Sequence, residues 1–153
     1  MNIPREYLNL DAYLKPNKAL VILGPRQSGK TTLLNDFLEK TKFKFKLDFG
    51  DNIRTQEILS SQDFDKILEY AHGYELIAID EAQRIRNIGL GLKILIDHIP
   101  GIHIVATGSS SFELAGQVGE PLTGRKITLD LYPIAQIELA RLFNPVELKA
   151  RLE

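Results

Sequence analysis

The run Gly24-Pro25-Arg26-Gln27-Ser28-Gly29-Lys30-Thr31 fits the spacing Gly-x-x-x-x-Gly-Lys-Ser/Thr. Its fixed glycines let the backbone fold around a phosphate, with amide N–H groups turned inward where a helix begins. Lys30 offers a positive charge to the β- and γ-phosphates of a nucleotide, and the Thr31 hydroxyl suits Mg²⁺. Thr32, the next residue, completes the stretch expected to touch nucleotide. A plain glycine-rich turn would match the spacing too. The apolar run Ala19–Leu23 before the loop and an amphipathic pattern after it add the strand–loop–helix context that the motif requires.

A second cluster is Glu75-Leu76-Ile77-Ala78-Ile79-Asp80-Glu81, a buried strand ending in two carboxylates. In a parallel sheet that end lies beside the first strand's loop, where ligands bind. Asp80 is placed to hold Mg²⁺ through water. Glu81, one residue on, points elsewhere and can orient or deprotonate an attacking water. A third cluster, His103-Ile104-Val105-Ala106-Thr107-Gly108-Ser109, carries hydroxyls at the end of another apolar strand. Thr107 and Ser109 are candidates for sensing the γ-phosphate, with capping of a following helix as the competing reading. Arg125, after Leu122-Thr123-Gly124, is a candidate arginine finger in its own chain or a neighbour's; a surface arginine flanking an edge strand fits the spacing equally well.

These residues need a scaffold that brings strand ends together. Strand and helix candidates alternate, which points to a parallel sheet covered on both faces. Ala19–Leu23, Leu76–Ile79 and Ile102–Ala106 are almost continuously apolar, as central strands are. Phe43, Phe45, Leu47 and Phe49 alternate with Lys42, Lys44, Lys46 and Asp48, and Ile127, Leu129 and Leu131 with Lys126, Thr128 and Asp130. That pattern marks half-exposed strands, so the second and fifth strands are expected at the edges. The expected architecture is an α/β three-layer sandwich with a five-stranded parallel sheet in the order 5-1-4-3-2. Leu33, Leu34, Phe37 and Leu38 make the first helix face. Phe64, Ile67, Leu68 and Ala71 make a second, with Ser60 or Ser61 as N-cap and Gly73 as the stop. Leu92, Leu95, Ile96 and Ile99 make a third, and a last helix is expected near Pro133.

Bulk properties exclude several classes. The 153 residues suit a single domain, and 44% hydrophobic with 25% charged content rules out disordered and fibrous types. A net charge of −1 lends no support to nucleic acid as the main partner, and the lysine row reads better as a solvated edge. With no cysteine there is no disulfide or thiolate chemistry, and His72, His98 and His103 lack metal-ligand spacing. No signal peptide or membrane-spanning run is visible, so a soluble, cytoplasmic protein is expected.

The combination Gly-Pro-Arg-Gln-Ser-Gly-Lys-Thr-Thr-Leu-Leu, Ile-Asp-Glu-Ala-Gln-Arg, Ala-Thr-Gly-Ser-Ser-Ser and Leu-Thr-Gly-Arg-Lys resembles a prokaryotic AAA-type P-loop ATPase family. Its members join an N-terminal ATPase domain to a C-terminal domain of unknown function. The likeness runs from about Ile3 to Ile137, with the motifs in the family's order. It implies ATP and Mg²⁺ as ligands, a phosphate loop at Gly24–Thr31, a Walker B aspartate at Asp80 and a catalytic Glu81. It also implies a sensor region at Thr107–Ser109 and a Gly-Arg at Gly124-Arg125. Residues 1–153 are then one ATPase domain, expected to be the N-terminal portion of a longer protein, since the family's C-terminal domain is missing and the terminal Leu152-Glu153 resembles a cloning remnant, with a natural short chain as the alternative. A downstream domain or a neighbouring subunit is the expected partner.

Other nucleotide enzymes fit less well. A GTPase would need Gly two places after Asp80 and an Asn-Lys-x-Asp motif, and neither is present. The Asp-Glu pair has no use in a small-molecule kinase, which nevertheless shares the phosphate loop. The main alternative to an ATPase is a nucleotide-dependent switch in which slow hydrolysis only resets the state.

Overall fold

A computed structural model describes residues 10–25, 29–109, 121–131 and 149–152. The helix expected near Pro133 lies outside them. Ten regular elements follow in chain order: β1 (Lys18–Leu23), α1 (Lys30–Lys40), β2 (Phe45–Phe49), α2 (Ile53–Ser60), α3 (Phe64–Tyr70), β3 (Leu76–Asp80), α4 (Ile88–His98), β4 (His103–Gly108), β5 (Lys126–Asp130) and β6 (Lys149–Leu152). A short 3₁₀ turn, Ala82–Arg84, joins β3 towards α4.

The sheet order is β2-β3-β4-β1-β5-β6, and its first five strands are parallel. The expected order of those five is the observed one, with β4 inserted between β1 and β3. Successive strand residues face opposite sides, so each strand feeds two cores. On one side Leu20, Ile22, Ala78, Val105 and Leu129 pack with Leu33, Leu34 and Phe37 of α1. On the other, Val21, Ile77, Ile79 and Ile104 pack with Leu59 of α2, Ile67 of α3, and Leu92 and Leu95 of α4. This is the three-layer sandwich that the apolar runs require. Among the described residues no helix is long and apolar enough to cross a membrane.

Two expectations need correction. β5 is not an edge, because β6 pairs with it antiparallel from Ile127↔Leu152 to Asp130↔Lys149. Lys126 and Thr128, taken from their polarity as solvent-facing, are only 2% and 0% exposed. β2 is the outermost strand on the other side, with Phe45 and Phe49 exposed. The second correction is helical. Ser60 ends α2, whose N-cap Asn52 accepts N–H bonds from Arg54 and Thr55. The cap of α3 is Asp63, accepting from Lys66 N at 3.2 Å. α2 escaped the pattern search because it is eight residues long and buries only Thr55 and Leu59.

α2 and α4 approach so closely that a Cβ on Gly91 would lie 2.5 Å from the Leu59 carbonyl oxygen. That oxygen is backbone and cannot swing aside. Alanine would gain up to about 1 kcal/mol of helix propensity, but overpacking costs about 1–3 kcal/mol. Gly91→Ala should therefore lower unfolding free energy in urea denaturation, despite replacing glycine within a helix.

Candidate functional site

The C-terminal ends of β1, β3 and β4 meet at one rim of the sheet, and the phosphate-loop motif leaves from β1 there. Gly24 N–H donates to the Gly108 carbonyl at 3.2 Å, tying the loop's start to the end of β4. Gly29 sits at φ 91°, a left-handed conformation open to glycine at little cost, and α1 starts at the next residue. As the N-cap, Gly29 brings no side chain to the first-turn N–H groups, which suits them to an anion. Pro25 is described, while Arg26, Gln27 and Ser28 lie outside the described residues. Thr32 is exposed on the first turn of α1, and Ser109 follows the last residue of β4.

Lys30 is 5% exposed and curls back over the loop, donating to the Gly24 carbonyl at 2.6 Å and to the Pro25 carbonyl at 3.1 Å. Burial pushes its ammonium below the ordinary lysine range, while the charges of Glu81 and Asp80 pull the other way. The ammonium is thus close enough to both carboxylates to feel them.

Asp80 is the hub. Its Oδ2 accepts from the Thr31 hydroxyl at 3.0 Å, and its Oδ1 accepts from the Thr107 hydroxyl at 2.5 Å. Thr107, fully buried, also accepts the Glu81 N–H at 2.9 Å. One hydroxyl therefore joins both carboxylate residues of β3's end, and the phosphate helix is joined to the same carboxylate from the other side. Thr31 and Asp80 form a hard-oxygen pair suited to Mg²⁺. Among the described residues no three His, Cys, Asp or Glu side chains form a metal-binding group. A cation here would rely on nucleotide oxygens and water for its other ligands, as Mg²⁺ commonly does.

Glu81 adopts φ 58° and ψ 46°, the left-handed region, which costs a non-glycine residue about 1–2 kcal/mol. Its surroundings impose that conformation. Thr107 takes its N–H, and its carbonyl packs against Gly50, where an added Cβ would fall 1.9 Å from the oxygen. Gly50 N–H in turn donates to the Asp80 carbonyl at 2.7 Å. The Glu81 carboxylate is held from the 3₁₀ turn, with Gln83 Nε2 donating to Oε2 at 2.6 Å. Gly50 and Gln83 were missed from sequence. A glycine just past the strand that pairs with Asp80's strand, and an amide two residues after Glu81, were the available signals.

Arg125 is not brought to this rim in its own chain. Its carbonyl accepts from Ala19 N–H at 2.8 Å, next to the first residue of β1. β5 rises through five residues from there, about 16 Å at 3.3 Å each, before reaching the level of the loop. The guanidinium instead grips Asp97 of α4, with Nε–Oδ1 at 2.8 Å and Nη2–Oδ2 at 3.2 Å, and this holds the Asp97 carboxyl below its usual range. Gly124-Arg125 precedes a parallel strand and so falls at its N-terminal end, which leaves of the expected readings a neighbour's site or a surface arginine. Lys46 is likewise engaged within the protein, donating to the Tyr70 carbonyl at 3.1 Å and lying 3.9 Å from that ring's centre.

Thr107→Val keeps the shape of the residue and deletes both bonds of the Thr107 hydroxyl. It strands the Glu81 N–H and withdraws a donor from buried Asp80, a loss of about 1–3 kcal/mol. Urea unfolding should register that loss, and Thr107→Ser should recover most of it.

The comparisons agree with the fold. A replication initiator, DnaA, bound to AMPPCP and single-stranded DNA, superposes with a TM-score of 0.58 at 14% identity, over 92% of this chain and 51% of that one. A Pif1 helicase structure gives 0.54 at 17% identity, over 86% and 43%. Both are similar in fold. An uncharacterized protein of Mycobacterium tuberculosis is 31% identical over 73% of this chain and 24% of its own length. One from Methanocaldococcus jannaschii is 29% identical over 90% and 32%. An uncharacterized ATP-binding protein of Pyrococcus horikoshii is 35% identical over 41% and 19%. The chain thus spans a third or less of the length of these relatives. The family model described as an AAA domain, AAA_14, matches residues 16–140, more than half of the sequence, and the chain belongs to that family.

Proposed function

We propose that this domain binds Mg-ATP at the Gly24–Thr31 rim and hydrolyses it to ADP and phosphate. The observation that carries the reading is the shared hub: Asp80 bonded to Thr31 and Thr107, with Glu81 fixed next to it by the same Thr107 hydroxyl. A site that only gripped phosphate would have no use for a second carboxylate held at the cost of a left-handed backbone.

In this mechanism the loop amides and Lys30 take the β- and γ-phosphates. Lys30 exchanges the Gly24 and Pro25 carbonyls, its present acceptors, for phosphate oxygens. Thr31 and Asp80 would hold a Mg²⁺ ion, which would supply positive charge to the phosphates. Glu81 accepts a proton from the water that attacks the γ-phosphorus. The new P–O bond forms as the bond to the β–γ bridging oxygen breaks, and the bridging oxygen leaves on ADP. Thr107 couples the Asp80 carboxylate to the Glu81 backbone and so links metal binding to the base. Ser109, just beyond it, and Thr32, on α1, extend the nucleotide site. Arg125 can serve such a site only from a neighbouring subunit, because its own rim lies at the far end of β5. A downstream domain or second subunit is the proposed partner, and the cytoplasm, where ATP is made and spent, the proposed location.

Two substitutions test the reading. Lys30→Ala should leave the fold intact and weaken ATP binding by about 1.5–3 kcal/mol in calorimetry, the worth of a charge-assisted contact. Glu81→Gln keeps shape but is a poor base. It should retain Mg-ATP affinity while turnover drops about 10²–10⁴-fold in a phosphate-release assay. Parental turnover in folded Glu81→Gln would remove Glu81 from the chemistry and leave a nucleotide-binding switch as the function.

A further inference from the structure

Among the described residues Gln83 makes one polar contact through its side chain, and that contact is to Glu81: Nε2 to Oε2 at 2.6 Å. The other end of the same amide, Oε1, is buried and has no hydrogen-bond partner among the described residues. A glutamine kept for structure is expected to satisfy both ends, since a buried, unpaired acceptor costs about 1–3 kcal/mol. Here the fold tolerates that loss to keep one amide N–H group against one carboxylate oxygen. The turn that carries Gln83 is fixed on both flanks, with Ala82 and Ile85 each 0% exposed in the core and Ile85 N–H bonded to the Ala82 carbonyl at 3.0 Å.

We propose that Gln83 is a positioning residue: its amide N–H engages Glu81 Oε2 and fixes the rotation of that carboxylate for the attacking water. This rests on the hydrolase reading above. The choice of an amide has a chemical rationale. A lysine or arginine at this position would form an ion pair and quench the carboxylate as a base. A hydroxyl on so short a side chain as serine would not span the gap. A neutral donor with two methylenes fixes the carboxylate's rotation without neutralising it.

Gln83→Met provides the test, because methionine has similar length, no donor and no acceptor to leave unpaired. The expected result is a loss of kcat of about 10- to 100-fold, the usual scale for misplacing a catalytic group through its supporting residue. KM for ATP and calorimetric ATP affinity should not change, and the thermal midpoint should hold or rise. In a Glu81→Gln background the same substitution should cost nothing further, since Gln83 acts only through Glu81. Gln83→Glu, which faces Glu81 with a second carboxylate, should lower kcat at least as far as Gln83→Met. Parental kcat in Gln83→Met would overturn the proposal. So would a fall in thermal midpoint that tracks the fall in kcat, or a full additional loss in the Glu81→Gln background. The two readings fail separately: parental turnover in Glu81→Gln alone defeats the base assignment itself, whereas an inactive Glu81→Gln beside a fully active Gln83→Met defeats only the role of Gln83.

Discussion

Everything at the functional rim depends on how the Asp80 carboxylate is shared. It is 5% exposed, and an ion so deeply buried needs donors on both oxygens. Thr31 supplies one from α1 and Thr107 the other from β4. The first is possible only if the phosphate helix starts beside β3's end. The second is possible only if β4 lies between β1 and β3. Strand order is therefore a requirement of the site as well as a consequence of hydrophobic burial, and both favour the same topology. The register matches this too: Leu23 pairs with Gly108 and Ile79 with Ala106, so the three strands finish at nearly one level.

Glu81 shows where that arrangement costs energy. Its left-handed backbone is offset by bonds and packing made in that conformation. They are the Thr107 acceptor for its N–H and a glycine at position 50 that leaves room for its carbonyl. Strain of about 1–2 kcal/mol is small beside the buried strand that precedes it, where five residues from Leu76 to Asp80 are all buried. A strongly held strand followed at once by one strained residue separates the job of stability from that of aiming the carboxylate.

Legibility in the sequence followed the strength of the physical signal. Continuous apolar runs identified β1, β3 and β4, and the loop spacing identified Gly29, Lys30 and Thr31, because both patterns leave few alternatives. The Asp80–Glu81 pair was legible as a strand end next to that loop, and Thr107 through its place at the end of β4. Polarity misled at β5, since Lys126 and Thr128 alternate as on an exposed strand while β6 covers that edge. Pairing with β6 is a long-range fact with no local signature. Arg125 stayed open between readings for a related reason: a Gly-Arg next to a loop looks the same at either end of a strand, and only the strand's direction tells which rim it joins. Gly50, Gly91 and Gln83 act through close approaches of segments far apart or through a single side-chain bond, and periodicity carries none of that.

The far end of the sheet explains why the rim can be adjusted without loosening the domain. Asn17, itself at φ 56°, donates to the Ile96 and Ile99 carbonyls at 2.8 and 2.9 Å and accepts Gly101 N–H at 2.8 Å. With the Arg125–Asp97 pair it ties the C-terminal end of α4 to the starts of β1 and β5. The other end of α4 is reached from the Gln83 turn through Ile85 and Ile88, both 0% exposed. Moving that turn as a body would unbury those side chains at about 1.5–3 kcal/mol each. Rotating the Glu81 or Gln83 side chain breaks one hydrogen bond, worth about 1.5–3 kcal/mol to a charged group, and frees a buried acceptor that gains from finding a donor. Side-chain rotation is therefore the cheaper motion at this site. Any response to nucleotide at the Glu81–Gln83 contact begins there, with the backbone of the turn held in place.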